Sequence, residues 1–309
     1  MTSTHLNFRP LSKGAAHLCA LALLLTLAVR TPATNLPPAR PEAVGMSTRQ
    51  LARIDGAVAE SIAKNELPGA VVLVARKGRV VWRKAYGSRA VLPEREMMTT
   101  DTIFDLASLT KVLATATSIM LLVERGQIRL SDPASLYLPE LKGESRDRIT
   151  IEQLLLHRSG YAPDFDLSEK WSGYDEAMKR LALEPLRNPP DTRFVYSDIN
   201  YIALGEIVHR VSGMPLDEFA RKNIFEPLGM RSTGFRPRAE LRPLIAPTET
   251  RRAAGSYLGG AGDKTTEGER WLRGEVHDPT SFRMGGVAGH AGLFSNADDL
   301  AIYCQMILN

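Results

Sequence analysis

A continuous apolar run from residue 70 to residue 75, followed by a Lys-Gly turn at 77–78, is the feature that most restricts the fold of this 309-residue chain. After the turn, Val80, Trp82 and Tyr86 continue an extended pattern, so the two runs predict a β-hairpin. A strand without polar alternation is typical of a strand covered on both faces. The hairpin therefore predicts a sheet with helices packed against it.

The remainder of the chain predicts helices separated by short extended pieces. Thr150 and Gln153 form a capping box before a short helix, and Ser295 is the expected cap of a final helix that runs to Leu308. Helical periodicity marks four further segments: 47–65, 171–183, 200–212 and 216–224. The predicted class is α/β (α+β), with an antiparallel sheet flanked by helices and a mostly helical part over about 112–250.

The N-terminal segment predicts export. Arg9 and Lys13 precede an apolar run at 18–29, and small residues follow it as far as Ala33. This is the form of a secretory signal peptide, and the run is too short to span a bilayer comfortably. We expect residues 1–33 to be the signal, residues 34–309 to be one domain, and the location to be periplasmic or secreted. An uncleaved membrane anchor is the alternative.

Charge and cysteine content argue against a nucleic-acid-binding protein and against a disulfide-stabilised fold. The formal net charge of +4 falls to +1 when Arg9, Lys13 and Arg30 leave with the signal, so no nucleic-acid partner is expected. Of the two cysteines, Cys19 lies in the signal, so Cys304 has no partner for an internal disulfide. The fold is expected to rely on core burial.

Ser108 and Lys111 are the candidate catalytic pair. They open an apolar helical pattern that ends near Arg125, and residues three apart on a helix share a face. A lysine desolvated in such a helix can lose its charge and take the proton of a serine hydroxyl, while free N–H groups at the helix start favour an oxyanion. A second Ser-x-x-Lys, at Ser61 and Lys64, falls on the polar side of an earlier helix and is interpreted as surface.

Tyr196 is the candidate third catalytic residue. It lies between an extended run at 193–195 and a predicted helix. Next to the ammonium of Lys111 its phenol would lose a proton more readily, and the phenolate could accept the proton of Ser108. Asp198 either caps the following helix or contacts substrate.

Five motifs together resemble one known family: PGAVVLV at Pro68, SLTK at Ser108, LLLHRSG at Leu154, YSD at Tyr196 and EPLGM at Glu226. In this order they resemble the serine β-lactamase and penicillin-binding-protein-like superfamily, above all its class C β-lactamase and esterase branch, over nearly all of residues 45–309. The resemblance implies a β-lactamase/transpeptidase-like fold and an acyl-enzyme mechanism without a cofactor. In it Ser108 is the nucleophile, Lys111 the base and Tyr196 the proton shuttle.

Two departures from the family pattern bear on function. An acid at Asp198, where asparagine is common, would repel an anionic substrate, so carboxylesterase activity is favoured over β-lactamase or D-Ala-D-Ala peptidase activity. The His-Ala-Gly at His290 has the spelling of the family's third motif but precedes a helix instead of lying on a late strand. We therefore expect the chain to lack the C-terminal strands of such proteins, and interpret His290 as structural more than substrate-binding.

The sequence leaves two functional hypotheses. The leading one is an exported serine hydrolase acting on a small-molecule ester, amide or β-lactam, with a cell-wall peptide as a further substrate. The alternative is a truncated, catalytically inactive member with at most a cell-wall peptide-binding role. His277, Asp278 and His290 lack paired ligand spacing, so no metal is expected. His157, in the LLLHRSG motif, could line the cleft or hold its loop.

Overall fold

The predicted hairpin is confirmed in the computed structural model, which describes residues 35–143, 145–249 and 271–309. Strand β1 (Gly69–Arg76) pairs antiparallel with β2 (Arg79–Ala90). Lys77 and Gly78 form the turn with φ angles of 51° and 68°, the left-handed values that two-residue hairpin turns require. A short strand β3 (Glu96–Met97) pairs with the far end of β2. The predicted signal peptide, 1–33, lies outside the described residues.

Helices make up most of the rest of the described chain. Their bounds are α1 (Thr48–Leu51), α2 (Arg53–Ala63), α3 (Thr117–Glu124), α4 (Ile151–Leu155), α5 (Tyr174–Leu183), α6 (Asp198–Ser212), α7 (Leu216–Ala220), α8 (Glu226–Leu228), α9 (Pro279–Arg283) and α10 (Ala297–Leu308). Two π-helical turns, Lys111–Ala116 and Arg221–Phe225, lead into α3 and α8. Single 3-10 turns lie at Pro41–Val44, Ala134–Leu136, Pro139–Leu141, Arg146–Arg148 and Ala239–Leu244. The predicted capping box at Thr150 and Gln153 is present in both directions and starts α4.

Strand β1 is half-buried, so the prediction of cover on both faces is wrong. Every residue from Gly69 to Val74 has intermediate exposure. Among the described residues β1 pairs with β2 alone, and α2 and α10 are the helices that contact it most. One partner strand and partial helical cover cannot remove a whole apolar strand from water.

Helix α6 is the centre of the helical region. It is buried without interruption from Ile199 to Val208, because α3, α4, α5 and α7 surround it. Fully buried side chains on the flanking helices include Ile119, Leu122, Leu154 and Leu181. Each such side chain contributes about 1.5–3 kcal/mol to stability. This packing fixes the start of α6, next to Tyr196, relative to the helix that follows Ser108.

A second small sheet joins distant parts of the chain. Strand β6 (Leu293–Ser295) lies between β4 (Phe104–Asp105) and β5 (Gly234–Phe235), antiparallel to both, and is completely buried. Because β4 ends three residues before Ser108, this pairing brings the 289–295 region beside the nucleophile. The predicted fold class, helices combined with antiparallel sheet, is confirmed.

The cap of the last helix differs from the prediction by one residue. Asn296 accepts the Asp299 N–H at 2.9 Å and is the N-cap of α10. Ser295 belongs to β6, and its hydroxyl is 2.6 Å from that of Thr233. Pairing with β4 holds Ser295 in the strand, so the next polar residue takes the cap.

Two further observations concern the described part of the chain: its free cysteine and the length and polarity of its helices. Cys304 is free and exposed on α10. Within residues 35–143, 145–249 and 271–309, the helices are all too short or too polar to cross a membrane.

Stability in acid should depend on Glu96. Hydrogen bonds from Arg273 and then Arg89 outweigh the effect of burial and hold the pKa of Glu96 down to about 2. A depressed carboxyl pKa stabilises the fold above the unfolded value, 4.5, and this stabilisation is lost as the pH falls toward 2. We expect Glu96→Gln to lower the melting temperature near neutral pH and to match the wild type near pH 2.

Solvent screening limits the Glu96 effect to about 1 kcal/mol or less. The measurement is thermal unfolding of both proteins between pH 2 and pH 7. Glu94→Gln, at an exposed position on the same loop, is the control and should leave the curve unchanged. A constant difference between Glu96→Gln and wild type across the whole range would contradict the ion-pair explanation.

Candidate active site

Ser108 lies on a tight turn between β4 and the helix that contains Lys111. The turn is held by the Asp105 carboxylate, which accepts the Ala107 N–H at 2.8 Å, and Ala107 has a φ of 45°. Helix geometry starts at the next residue, Leu109. The side chain of Ser108 is exposed, and its N–H donates to no other group in the described chain. This is the position that the sequence predicted, with a backbone donor available to a bound oxyanion.

Lys111 is buried although Ser108 is not. Only 3% of Lys111 is exposed, and its Nζ donates to the Ser108 hydroxyl at 3.0 Å. The same ammonium donates to the carbonyl of His290 at 3.2 Å and pairs with Asp198 Oδ1 at 2.6 Å. A π-helical turn begins at Lys111, a type of local widening that is frequent at functional sites. The arrangement places a desolvated amine directly behind an accessible hydroxyl.

Tyr196 covers Lys111 with its ring. The Nζ of Lys111 lies 4.7 Å from the centroid of the Tyr196 ring, and 46% of Tyr196 is exposed. On its other side, the ring of His157 lies 4.5 Å away, centroid to centroid. The tyrosine therefore lies against the amine and is partly open to solvent, and its role as a proton shuttle stays a prediction.

His157 supports the Tyr196 loop. Its Nδ1 accepts the N–H of Ser197 at 3.1 Å, and only 8% of the residue is exposed. Burial, with the charge of Lys111, lowers the pKa of His157, so the ring is neutral and acts as an acceptor. Of the two roles considered for this residue, holding the loop is the one that these contacts describe.

Asp198 does not cap the helix that follows it, and its alternative role, contact with substrate, stays a prediction. The N-cap of α6 is Ser197, and Asp198 is the first residue of the helix. Its carboxylate faces Lys111 across the site, so capping is not its role. Tyr196 and Asp198 reach the same amine from the two sides of one turn.

Residues 289–293 run along the helix of Lys111 and complete the site. The hydroxyl of Thr115 donates to the carbonyl of Gly289 at 2.6 Å, and that of Thr110 accepts the N–H of Leu293 at 3.1 Å. Between these two contacts, the His290 carbonyl accepts the bond from Lys111. Sequence reasoning missed both threonines, because nothing in a helical pattern distinguishes a threonine that binds a distant segment.

The three residues considered as metal ligands do not gather at one point. His277 contacts Glu249 at 2.8 Å, whereas His290 Nε2 is 2.8 Å from Asp278 Oδ1. Atoms of Asp198, Asp278 and His290 do lie within 4.8 Å of one another. Because Lys111 already occupies the Asp198 carboxylate and His290 that of Asp278, an added cation would have to displace charges of the protein itself. We assign no metal.

The second Ser-x-x-Lys is at the surface, as interpreted from the sequence. The Lys64 ammonium pairs with Glu60 at 2.6 Å, and both side chains are more than half exposed, 57% and 65%. Lys64 therefore lacks the burial that distinguishes Lys111.

An accessible serine backed by a buried lysine, on this mixed helical and antiparallel fold, defines the class of Ser-x-x-Lys serine hydrolases. Comparison with known sequences identifies the family: a model of the Beta-lactamase family matches residues 54–309, and the chain belongs to that family. The fold inferred from the five motifs is confirmed by this match.

Curated relatives carry cell-wall names. The chain is 35% identical over 292 residues to the "N-acetylmuramyl-L-alanine amidase" of Bacillus subtilis (strain 168), covering 87% of this chain and 65% of the relative. It is 31% identical over 312 residues to a protein of Salmonella agona (strain SL483) named "Putative D-alanyl-D-alanine carboxypeptidase", covering 93% and 71%. The chain thus spans about two thirds of the length of these relatives.

A solved structure shares the architecture. The class C β-lactamase of Rhodobacter sphaeroides superposes with a TM-score of 0.63 at 25% identity, over 82% of this chain and 64% of that one.

Proposed function

We propose that this protein is an exported serine hydrolase that cleaves an ester or amide through an acyl-enzyme on Ser108. One observation supports the proposal above the others: the buried amine of Lys111 lies 3.0 Å from the exposed hydroxyl of Ser108. Export rests on the basic and apolar pattern of residues 1–33.

In the proposed first step, the Ser108 oxygen attacks the substrate carbonyl and its proton passes to Lys111, directly or by way of Tyr196. The Ser108 N–H stabilises the oxyanion, and collapse of the tetrahedral intermediate expels the leaving group with that proton. In the second step water attacks the acyl-enzyme, gives a proton to the same groups and releases the acid. The two steps regenerate Ser108.

The rim of the site bears on the substrate. Leu109 and Phe194 are 52% and 70% exposed, and the Asp198 carboxylate lies 2.6 Å from the amine that contacts Ser108. An apolar rim with an internal acid favours neutral acyl groups and disfavours a carboxylate next to the scissile bond. We propose a carboxylester as the preferred substrate, with a cell-wall amide as the second candidate, supported by the names of the relatives.

The test is covalent labelling of the exported protein with a fluorophosphonate, followed by peptide mass spectrometry. We expect an adduct on Ser108 and complete loss of labelling in Ser108→Ala, since among the described residues this is the serine whose hydroxyl accepts a hydrogen bond from a buried lysine. Hydrolysis of a p-nitrophenyl ester, a muropeptide amide and a chromogenic cephalosporin, measured on the same sample, ranks the three substrate classes.

Ser61→Ala is the matched control for the labelling, because Ser61 and Lys64 have the same spacing at the surface. It should label like the wild type. A protein that melts cooperatively but carries no Ser108 adduct would overturn the proposal and favour the inactive, peptide-binding alternative.

A further inference from the structure

The most deeply buried titratable group beside the site is the His290 side chain, which has no role in the steps above. It is 0% exposed, and its Nε2 lies 2.8 Å from Asp278 Oδ1. Its own backbone carbonyl accepts the bond from Lys111, so the imidazole and the catalytic amine are attached to the same short segment. A buried charge is costly unless it is paired and hydrogen-bonded, and the contact with Asp278 supplies that pairing for the imidazole.

Two carboxylates act on one catalytic amine here, Asp198 by contact and Asp278 through its charge. Asp198 is in direct contact with Lys111, and atoms of Asp278 and His290 lie within 4.8 Å of those of Asp198. Each negative charge near Lys111 favours the protonated amine, which cannot accept the proton of Ser108. Left uncompensated, the second carboxylate would work against catalysis.

The other charged groups around His290 also favour a protonated ring. Asp164, which accepts the Thr280 hydroxyl at 2.7 Å, and Asp198 add negative potential, and Asp105 lies on the far side of Asp278. Burial lowers the pKa of His290, but the hydrogen bond to Asp278 and these charges raise it above its ordinary value overall. The other ring nitrogen of His290, Nδ1, is buried without a partner among the described residues, and this disfavours a proton on it.

We propose that His290 is a charge-balancing positioning residue: protonated and bound to Asp278, it cancels the second carboxylate near Lys111, so that one uncompensated carboxylate instead of two opposes proton release from the amine. The inference rests on the proposed function of Lys111 but concerns a charge that can be measured without turnover.

The size of the effect follows from Coulomb's law. One uncompensated charge several ångströms away, with an effective dielectric constant of about 20, shifts a titration midpoint by about one to two pH units. Replacing the imidazole in His290→Gln leaves Asp278 uncompensated, so the Lys111 midpoint should rise by that amount. In the double variant His290→Gln/Asp278→Asn the pair is neutral again, and the midpoint should return to that of the wild type.

The experiment is NMR titration of Lys111, followed through its ε-carbon, in a Ser108→Ala background that does no chemistry. Ring-nitrogen shifts on the same samples should show His290 doubly protonated at pH 7. In active protein, the acidic limb of the kcat/KM profile should move upward with the Lys111 midpoint in His290→Gln, about tenfold in rate at fixed acid pH for each unit. The double variant should restore the limb.

A purely structural role of His290 predicts a different pattern. The double variant would then be no more active than His290→Gln, and the Lys111 midpoint would not move in either variant. That result, or a neutral His290 ring at pH 7, would overturn the proposal. His209→Gln is the control, because His209 forms a similar pair with Glu206 at 3.3 Å on α6 and should leave Lys111 unchanged.

Two further arms keep the test decisive. If His290→Gln does not fold, Asp278→Asn alone suffices: His290 should then become neutral at pH 7 with the Lys111 midpoint unchanged, and a fall of one unit or more in that midpoint would contradict charge balancing. Absence of hydrolysis and labelling in the wild type would refute the proposed function, yet the Lys111 and His290 titrations would still decide this inference.

Discussion

Replacing Lys111 with methionine should lower kcat/KM for ester hydrolysis by about 10²–10⁴-fold, the contribution of a well-placed general base. Methionine keeps most of the apolar stem in the buried site but removes the amine that lies 3.0 Å from the Ser108 hydroxyl. Without it, the hydroxyl must attack with its proton in place. The measurement is steady-state kinetics with a p-nitrophenyl ester, alongside a thermal melt of the same sample.

Stability must be separated from chemistry in this experiment. Lys111→Met leaves the Asp198 carboxylate, 20% exposed, without its counterion, which destabilises the fold by up to about 3–5 kcal/mol. The double variant Lys111→Met/Asp198→Asn removes both charges and should melt near the wild-type temperature while remaining inactive. Lys64→Met changes the surface lysine of the second Ser-x-x-Lys and should keep full activity. Activity within tenfold of wild type in a folded Lys111→Met protein would rule out Lys111 as the base.

Gly289→Ala should be among the most destabilising single substitutions in the chain. A Cβ at residue 289 would lie 1.8 Å from the carbonyl oxygen of Tyr201 and 3.3 Å from the N of Gly205, both backbone atoms of the buried helix α6. Neither can withdraw without moving the central helix. We expect a loss of about 3 kcal/mol or more in the free energy of unfolding, or roughly 6–12 °C in melting temperature.

Activity should fall with stability in Gly289→Ala. The next residue is His290, whose carbonyl holds Lys111, and a displacement of about 1 Å at a catalytic group can cost about 100-fold in rate. The control is Gly56→Ala, in the exposed middle of α2, where a Cβ meets nothing within 4 Å. Removing a helical glycine there should stabilise the protein by about 0.5–1 kcal/mol. Equal melting temperatures for Gly289→Ala and the wild type would mean that residues 289–293 do not pack against α6 as described.

Local features of the site were predictable from the sequence, because their causes lie within a few residues of one another. The three-residue spacing of Ser108 and Lys111 puts both on one helix face, and the amine lies 3.0 Å from the hydroxyl. Surface exposure of Lys64 in the second Ser-x-x-Lys followed from the same reasoning. Tyr196 could be placed near Lys111 only through the resemblance to a family, since 85 residues separate them.

The partners of Lys111 were not predictable, because they depend on how α6 and residues 289–293 meet the helix. Asp198 has the residue type and position of a helix cap, yet Ser197 takes the N-cap position and Asp198 faces an amine instead. His290 matched the spelling of a substrate-binding motif, and its imidazole is buried against Asp278. Spacing carries no information about which face of a loop will meet a distant helix.

By itself, the sequence determined the hairpin, the Lys77–Gly78 turn, the capping box at Thr150 and the helix that opens at Ser108, since hydrogen bonds and side-chain periodicity within one segment suffice for each. Only the tertiary structure decided which polar and charged groups surround Lys111. Pairing of β6 with β4 carries His290 to Lys111, and burial of α6 brings Asp198 to the same amine. The charged groups around Lys111 meet only when the core closes, and Coulomb forces follow distance in space and not separation along the chain.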